Sequence, residues 1–386
     1  MMVNHLVDSL KRSATLKVTA LTKKLIREGK DVVNFAAGEP DFDTPEFIKE
    51  AAFKAIKNGF TKYTPSLGLP ELRSAIAAKF SNENHISVSA EQVLVTSGAK
   101  YAIFSVLLSL LGPGDEVIIP EPYWVSYPEM VKLTAARPVF IGLNSQNNFK
   151  LTPQLLSEAV TSKTKVLILN YPCNPTGVNY SSEELKAIYD VIKDKQIIVL
   201  SDEIYEALVY DGKKHVSFAS FPGAERQTVT VNGVSKTFSM TGWRVGYLTA
   251  PLNVIDAVSK LLDHTTSCAS SISQYAALEA INNKQWQLEV KDQFQKRRDL
   301  FWNKISECAR IIPLKAQGTF YMFCDIRPTG LSSFDFSAKL LEEHFVSCVP
   351  AGSFGAEGFV RFSFATGIEQ IKKGTERVKN FLKTLK

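Results

Sequence analysis

The sequence predicts an α/β protein of two domains, built around a seven-stranded, mostly parallel sheet with one antiparallel strand. The chain has 386 residues, which exceeds the size at which a single hydrophobic core stops growing. Short apolar runs alternate with helical patterns over residues 92–249, as in parallel sheets that are covered on both faces. One connection in this region is too short to hold the helix that a parallel crossover requires.

The seven predicted strands follow one another with helical segments between them. They are residues 92–96, 116–119, 138–141, 165–169, 197–200, 228–231 and 244–249. The helical patterns are clearest at 99–111, 124–133 and Ser182–Ile192. About a dozen residues without a helix pattern separate the last two strands, so we expect the strand at 244–249 to run antiparallel to its neighbour.

The pattern changes after about residue 290. A long charged helix at 293–309 leads into an apolar segment at 318–325, a further helix and a strand at 359–364, which together predict a smaller α+β domain. The segment before Pro40 has no place in the large sheet. We therefore expect a large domain at 41–290, and a small domain formed by residues 1–40 together with 291–386.

Composition and charge exclude several classes of protein. The apolar and charged fractions, 45% and 22%, are those of an ordinary globular protein, and the net charge of +6 is modest for this length. The basic residues are scattered, whereas a nucleic-acid-binding protein concentrates them in a stripe. The segment at 101–111 is too short to cross a membrane, and residues 1–10 do not have the pattern of a secretory signal.

The cysteines and histidines predict neither a disulfide framework nor a metal site. There are five of each, and no two cysteines have the spacing of a CxxC motif. The histidines fit no metal-ligand spacing. This use of cysteine favours a reducing compartment, so we expect a cytoplasmic protein.

A lysine and an arginine frame the turn that follows the strand at 228–231. The turn reads Val-Ser-Lys-Thr-Phe-Ser-Met-Thr-Gly-Trp-Arg, with Lys236 near its start and Arg244 at its end. A lysine amine held in a protein core can form a Schiff base with an aldehyde cofactor. An arginine fork suits the phosphate of such a cofactor. Considered alone, a lysine at a strand end is more often a solvated charge.

A carboxylate, Asp202, follows the predicted strand at 197–200. Ligands of open α/β sheets bind at the carboxyl ends of the strands, and a buried aspartate requires a cation or several hydrogen bonds. A protonated pyridine nitrogen would supply the cation, and Tyr205 would reach an oxygen on the same ring. The alternative is an aspartate that caps a following helix.

Three further segments carry polar groups suited to an anionic ligand. Residues 97–100 lie where a strand gives way to a helix, whose amino-terminal N–H groups bind anions, although a plain turn with an N-cap explains them equally well. Asn174 lies in a turn fixed by two prolines and a glycine, where an Asx-type turn is the alternative. Arg361 lies on the strand at 359–364, where its partner would be a substrate carboxylate or a structural salt bridge.

Together these motifs resemble the class I/II aminotransferases, the aspartate aminotransferase family of fold type I pyridoxal-phosphate enzymes. The branch it most resembles contains bacterial aspartate aminotransferases and aspartate-prephenate aminotransferases. The likeness covers nearly the whole chain. It is carried by residues 38–45 (Gly-Glu-Pro-Asp-Phe-Asp-Thr-Pro), 62–63, 97–100, 123–124, 174–177, 201–205, 235–246 and 361.

The resemblance implies pyridoxal 5'-phosphate as the cofactor and assigns roles to residues of this chain. Lys236 would link to the cofactor and carry the proton, Asp202 would pair with the pyridine nitrogen, and Tyr205 would contact the ring oxygen. The cofactor contacts it implies are Gly98, Ala99, Lys100, Trp124, Asn174, Asp202, Tyr205, Ser235, Lys236, Arg244 and Tyr63. The substrate contacts it implies are Gly38, Trp124, Asn174, Arg361 and Lys100.

The resemblance also implies a homodimer, because Tyr63 matches a tyrosine that reaches the phosphate of the neighbouring subunit. The reaction it implies is transamination between L-aspartate and 2-oxoglutarate. Lys100 would meet the distal carboxylate of the substrate. From its position alone, we also expect a basic segment with Lys11, Arg12, Ser13 and Thr15 to close over the site and add contacts to anions.

Three alternatives remain at this point. The first is an aromatic or prephenate aminotransferase, the second is another pyridoxal-phosphate reaction such as a β-lyase, and the third is a regulatory module that binds the cofactor without turnover. Two positions depart from the family pattern. Gly233 stands where relatives often have a serine that contacts the phosphate, and Cys173 stands before Asn174 where many have a polar or aromatic residue.

Overall fold

The computed structural model describes residues 3–12 and 14–385 of the chain, and its strands form three sheets within these residues. Strands β1 to β13 span Val33–Asn34, Val93–Thr96, Glu116–Glu121, Arg137–Gly142, Thr164–Asn170, Ile198–Asp202, Thr228–Gly233, Gly246–Thr249, Ile312–Leu314, Tyr321–Asp325, Val346–Ser347, Val349–Pro350 and Phe359–Ser363. Helices α1 to α13 span His5–Asp8, Ala14–Arg27, Glu46–Lys57, Pro70–Glu83, Ala99–Leu110, Ser126–Leu133, Pro153–Ala159, Ser182–Ile192, Leu252–Asp263, Ser271–Asn282, Lys284–Ser306, Ser333–His344 and Ile368–Thr384.

The largest sheet has seven strands in the order β2-β8-β7-β6-β5-β3-β4. All neighbouring pairs are parallel except the two that involve β8, which runs antiparallel to both β2 and β7. This confirms the predicted α/β class, the strand number and the single antiparallel strand. Apolar side chains from β2, β5, β6 and β7 are almost fully buried, because helices cover both faces of the sheet.

Several predicted boundaries differ from the structure, most of them by one or two residues, and two of the differences have a clear physical reason. The charged helix expected at 293–309 is α11, which spans Lys284–Ser306. The prediction overlooked Trp286 and Val290, which precede Phe294 at a four-residue spacing and pack against the core, so the apolar period of the helix begins in its first turn. The strand expected at 244–249 begins at Gly246, because Arg244 has a left-handed backbone with φ of 57°.

The smaller sheets lie in the region that follows residue 311, together with a segment from the amino-terminal part. Strands β12, β13, β10 and β9 form one antiparallel sheet. Strand β1 pairs in parallel with β11, with Val33 opposite Val346. Helix α13 packs closely on this pair, since a Cβ added to Gly374 would lie 2.3 Å from the ring of Phe35.

The large sheet and the antiparallel sheet approach each other beside the carboxyl end of β6. The turn after this strand contributes Tyr205, Leu208 and Tyr210 to the apolar core that the antiparallel sheet shares with α11 and α13. The polar ends of β5 and β6 and the turn after β7 therefore face residues of β10 and β13. Among the described residues, no helix is both long enough and apolar enough to span a membrane.

Candidate active site

A cavity of about 450 Å³ lies where the carboxyl ends of β5 and β6 meet the turn after β7. Most of the predicted site residues line it: Gly38, Ala99, Lys100, Trp124, Asn174, Asp202, Tyr205, Ser235, Lys236, Arg244 and Arg361. Gly98 lies directly behind this lining, against Arg244. Tyr63 lies outside the cavity and is 89% exposed.

The Lys236 side chain enters the cavity from the turn after β7. Its Nζ donates a hydrogen bond of 2.6 Å to the carbonyl oxygen of Gly38. Burial lowers the pKa of Lys236 to about 8, although the carboxylate of Glu39 acts in the opposite direction. An amine with this pKa is deprotonated in an appreciable fraction of molecules near neutral pH, as a nucleophile or a general base must be.

Asp202 is buried at the end of β6 and forms no ion pair with any described residue. Its Oδ2 accepts a hydrogen bond of 2.6 Å from the hydroxyl of Tyr127, and its Oδ1 accepts a longer one of 3.3 Å from the Ile204 N–H. Burial raises the pKa of Asp202 to about 6. No helix begins after this residue, so the interpretation of Asp202 as a helix cap is wrong.

Arg361 is buried on β13 and projects toward the same cavity. Its Nη1 donates to Asn174 Oδ1 at 2.8 Å, and its Nη2 donates to the Ala36 carbonyl at 3.3 Å. Its Nε has no partner among the described residues, and its guanidinium lies 4.0 Å from the ring centre of Tyr321. No described carboxylate pairs with it, in contrast to the alternative of a structural salt bridge.

The turn that holds Asn174 is stabilised by an asparagine at the end of β5. Asn170 Oδ1 accepts a hydrogen bond of 2.8 Å from the Asn174 N–H, which fixes the turn locally. The Asn174 side chain is then free to reach Arg361 and the cavity. Tyr205, which also lines the cavity, shares a hydrogen bond of 2.9 Å with the hydroxyl of Tyr321.

The amino end of α5 forms a cradle with the arginine of the following turn. Gly98 has φ of 93° and precedes the helix without any side-chain cap. A Cβ there would lie 2.3 Å from Arg244 Nη2, so only glycine fits. Arg244 donates to the carbonyls of Thr241 and Ser97 but meets no described carboxylate. Helix N–H groups beside such an arginine form an anion site.

Lys100 and Trp124 form the outer wall of the cavity. The Lys100 Nζ lies 4.8 Å from the centre of the Trp124 ring, and no described carboxylate pairs with it. Burial, together with the charge of Arg244, lowers the pKa of Lys100. A second anionic group of a ligand would relieve both effects.

Gly233 has a packing reason to be glycine. A Cβ at this position would lie 3.1 Å from both Gly246 Cα and the Val245 carbonyl oxygen. A serine here would force β7 and β8 apart by a few tenths of an ångström. The cradle therefore relies on Ser235, Arg244 and the helix N–H groups for its donors.

Sequence reasoning missed several residues that line the cavity. These are Tyr127, Tyr321, Glu39, Thr241 and Asn170. Glu39 stands inside the quoted motif at 38–45, and its Oε2 accepts a hydrogen bond of 2.7 Å from Thr241. Tyr127 has no signal in the sequence, because its partner Asp202 lies 75 positions away.

The amino-terminal segment contacts helix α6 through its backbone. The Lys11 N–H donates to Glu129 Oε2 at 3.0 Å, on the same helix as Tyr127. The Arg12 side chain is exposed. Ser13 and the side chain of Thr15 lie outside the described residues, so the expected anion contacts of this segment stay a prediction.

A second carboxylate, Glu203, faces the opposite side of β6. It accepts hydrogen bonds from Ser201 at 2.7 Å and Ser217 at 2.9 Å, and His215 Nε2 lies 2.8 Å from it. The ligand atoms of Glu203, Glu206 and His215 lie within 4.8 Å of one another, which is close enough for a metal. These carboxylates already have partners, however, since Glu206 is paired with Lys79.

Comparison with known proteins agrees with this geometry. Residues 30–378 match the family described as aminotransferase class I and II. The chain is 45% identical to an aspartate aminotransferase of Geobacillus stearothermophilus, over 97% of this chain and 98% of that protein. It is 44% identical to a probable aspartate/prephenate aminotransferase of Rickettsia bellii, over 96% of both. An aspartate aminotransferase structure from Thermus thermophilus with maleate superposes with a TM-score of 0.95 at 40% identity, over 98% of this chain and 99% of that one.

Proposed function

The chain belongs to the class I and II aminotransferase family, and we propose that it transfers the amino group of L-aspartate to 2-oxoglutarate. The products are oxaloacetate and L-glutamate. The observation that carries this proposal is the set of uncompensated charges around one cavity. Asp202 lacks a cation, while Arg244, Arg361 and Lys100 lack a carboxylate among the described residues.

We propose pyridoxal 5'-phosphate as the cofactor, because the residues present fit each of its parts. The phosphate fits the cradle made by Gly98, Ala99, Lys100, Ser235 and Arg244, where a Cβ on Gly98 would collide with the arginine. The buried carboxylate of Asp202 suits a protonated ring nitrogen. Tyr205 and Asn174 would hold the ring oxygen, and Trp124 would stack on the ring.

When bound, pyridoxal phosphate supplies an aldehyde that takes up the amino group and a protonated ring that withdraws electrons from the substrate Cα. Lys236 then acts as the group that removes and returns the proton at that carbon. Its position supports this role, because Nζ is held by the Gly38 carbonyl at 2.6 Å. Its lowered pKa, about 8, keeps the protonated and neutral forms both accessible.

Arg361 would bind the substrate α-carboxylate with Asn174 and the Gly38 backbone. Its planar fork binds a carboxylate through two parallel hydrogen bonds, and its unpartnered Nε supplies one donor for this purpose. Clamping the carboxylate fixes the direction of the Cα–H bond relative to the ring. Orientation of this kind accounts for much of the rate that an enzyme gains.

Lys100 supports a dicarboxylic substrate. Its ammonium stands on the outer wall over Trp124 at 4.8 Å, where the distal carboxylate of aspartate or glutamate would approach. A single charge on a flexible stem binds such a group and withdraws for other side chains. Lys100 is therefore the residue of this chain that we assign to side-chain selection.

Prephenate is a second candidate substrate, as in the name of the Rickettsia relative. It also carries two carboxylates, and its ring would meet the aromatic surfaces of Trp124 and Tyr321 that line the same cavity. The two candidates share Arg361 and Lys100. They differ in whether the aromatic wall contributes to binding.

A spectral titration tests the proposed function. The purified protein is loaded with pyridoxal phosphate, and the absorbance band of the bound cofactor is followed as amino acids are added. We expect L-aspartate to bleach the band rapidly and 2-oxoglutarate to restore it. Bleaching by phenylalanine alone would move the protein to the aromatic class. A band that no amino acid changes would favour the regulatory module and contradict turnover.

We also propose a homodimer in which Tyr63 completes the phosphate site of the partner subunit. The support is the exposure of two aromatic side chains in this part of the chain, 89% for Tyr63 and 42% for Phe60. Exposed apolar surface of this kind indicates a site of protein–protein contact. Sedimentation at micromolar concentration measures the assembly. A protein that is monomeric at this concentration and still binds the cofactor would contradict the proposal.

The proposed architecture has a large domain at 41–290 and a small domain made of 1–40 and 291–386. It is supported by the separate sheets and by the pairing of β1 with β11. The boundary near residue 290 falls within α11, so limited proteolysis should cut first near residue 41, which is exposed and lies outside helices and strands. The free state of all five described cysteines supports a reducing, cytoplasmic location.

A further inference from the structure

Tyr127 is a buried tyrosine to which the proposed function assigns no role. It lies in the first turn of α6, is 2% exposed and lines the cavity. Its hydroxyl donates to Asp202 Oδ2 at 2.6 Å. Among the described residues this is the only short hydrogen bond to that carboxylate, since the Ile204 N–H lies at 3.3 Å.

We infer that Tyr127 is the positioning residue of Asp202, holding its carboxylate ionised and fixed in orientation for a cationic ring nitrogen. This inference rests on the proposed cofactor. The Tyr127 ring is itself fixed, because it packs edge-on against Trp124 with ring centres 5.2 Å apart. The aromatic wall and the carboxylate are thereby held as one unit.

The hydroxyl of Tyr127 matters more when the cofactor is bound than when the site is empty. A protonated ring nitrogen requires the ionised form of Asp202. Without the hydroxyl, one oxygen of that ionised carboxylate is left buried without a donor, which is strongly unfavourable. Without the hydroxyl, the empty site avoids this situation by protonating Asp202, because the Tyr127 hydrogen bond lowers the pKa of this carboxyl and its loss raises that pKa further. Removing the hydroxyl therefore weakens cofactor binding rather than affecting both states equally.

A tyrosine bonded to Glu203, the carboxylate that follows Asp202 in the sequence, provides a matched control. Tyr171 is also fully buried, and its hydroxyl donates to the neighbouring carboxylate, Glu203, at 3.2 Å. Glu203 does not line the cavity and has several other donors. Tyr127→Phe and Tyr171→Phe thus delete the same atom from two buried tyrosines that serve consecutive carboxylates.

The experiment measures dissociation constants by equilibrium dialysis with two probes. The first is pyridoxal phosphate, and the second is its carbocyclic analogue, in which C–H replaces the ring nitrogen and the aldehyde, hydroxyl and phosphate are kept. We expect Tyr127→Phe to weaken binding of pyridoxal phosphate about 10-fold or more, as for a lost hydrogen bond to a charged group. The analogue should bind within about 2-fold of the wild-type value, since it does not use the charge of Asp202.

The ratio of the two dissociation constants distinguishes positioning from a merely structural role. Tyr171→Phe should keep the wild-type ratio. If Tyr127→Phe weakened the binding of both probes by the same factor, or weakened neither, the ratio would be unchanged and the inference would be overturned. Tyr127→Met is a second variant that lacks the hydroxyl. Thermal unfolding shows which of the two variants is folded, and a folded one is sufficient to decide the outcome. A wild-type protein that binds neither probe would instead refute the proposed cofactor.

Discussion

Asp202 and Glu203 are consecutive buried carboxylates at the end of one strand, and the fold surrounds them differently. Glu203 faces away from the cavity and has His215, Ser201, Ser217 and Tyr171 as partners. Burial acts to raise its pKa, but the charge and hydrogen bonds of His215 and the serine hydroxyls outweigh burial, and the pKa of Glu203 is lowered. Asp202 has one short hydrogen bond, and burial raises its pKa to about 6.

The different surroundings of the two carboxylates indicate where a ligand binds. A carboxylate with a complete set of partners contributes to the stability of the fold, whereas one without a cation is unfavourable until a cation arrives. Two arginines show the same contrast. Arg298 is fully buried and bonded to Asp211 through both Nη atoms, at 2.9 and 2.6 Å. Arg361 is nearly as buried and meets only an amide and a backbone carbonyl.

The largest effect that separates the two carboxylates is expected on turnover. Asp202→Asn removes the charge that keeps the cofactor ring protonated, and we expect kcat for L-aspartate and 2-oxoglutarate to fall about 10³-fold, in the range of lost electrostatic stabilisation. Steady-state kinetics at saturating cofactor measure this. A variant within tenfold of the wild-type kcat would mean that Asp202 does not serve the reaction.

The pH dependence of stability sharpens the same contrast in the cofactor-free protein. The folded pKa of Asp202, about 6, lies above its unfolded value of about 3.9, so ionisation of Asp202 opposes folding by about 3 kcal/mol at pH 7. This penalty disappears as the pH falls through 6 toward 4, because the folded state then binds the additional proton. Asp202→Asn should therefore be more stable than the wild type at pH 7, and the difference should shrink at pH 4.5.

Urea unfolding of both proteins across this pH range measures the difference directly. The sign is opposite for Glu203, whose lowered folded pKa gives stability above its unfolded pKa that is lost in acid. A stability difference between wild type and Asp202→Asn that stays constant from pH 7 to 4.5 would contradict the raised pKa.

The two arginines should respond to the same substitution in different assays. Arg361→Lys loses the planar fork that binds a carboxylate, and we expect kcat/KM for L-aspartate to fall about 10²-fold with little change in stability. Arg298→Lys loses bonds to Asp211 and to the Ala316 carbonyl, so it should lower the free energy of unfolding by about 2 kcal/mol. If kcat/KM fell by the same factor in both variants, the distinction between a ligand-binding and a structural arginine would be wrong.

The smallest expected effect concerns Lys100. Lys100→Met keeps the length of the side chain and removes its charge. We expect kcat/KM for L-aspartate to fall about 10-fold, as for a lost hydrogen bond between charged groups, while the value for phenylalanine changes less. The ratio of the two substrates is the measurement. If kcat/KM fell by the same factor for L-aspartate and for phenylalanine, Lys100 would be assigned to cofactor binding alone.

Much of this arrangement was predictable from sequence, because it depends on local patterns. The order of apolar runs predicted the sheet and its antiparallel strand, and the positions of Lys236 and Asp202 at strand ends placed both at one edge. The resemblance added roles that spacing alone left open. For Arg361, the strand pattern predicted its face but not its partner.

The remaining features depend on contacts between distant parts of the chain. Nothing near Tyr127 indicates that its hydroxyl meets Asp202, and nothing near Tyr321 indicates that its ring lies under Arg361. Glu203 and Asp202 are adjacent in a run of acidic and apolar residues, so their different surroundings follow only from the packing of His215 and Tyr127 on opposite faces. Side-chain partners of this kind have no signature in a single sequence.

The most direct test of the account compares Asp202→Asn with Glu203→Gln in two assays, cofactor affinity by dialysis and unfolding free energy by urea at pH 7. We predict that Asp202→Asn binds pyridoxal phosphate much more weakly than the wild type, and that its free energy of unfolding is equal to or greater than that of the wild type. Glu203→Gln should bind it within about 2-fold of the wild type and lose about 3 kcal/mol of stability, as for a broken buried pair. The account is contradicted if both variants lose affinity and stability together, or if Glu203→Gln is the one that fails to bind.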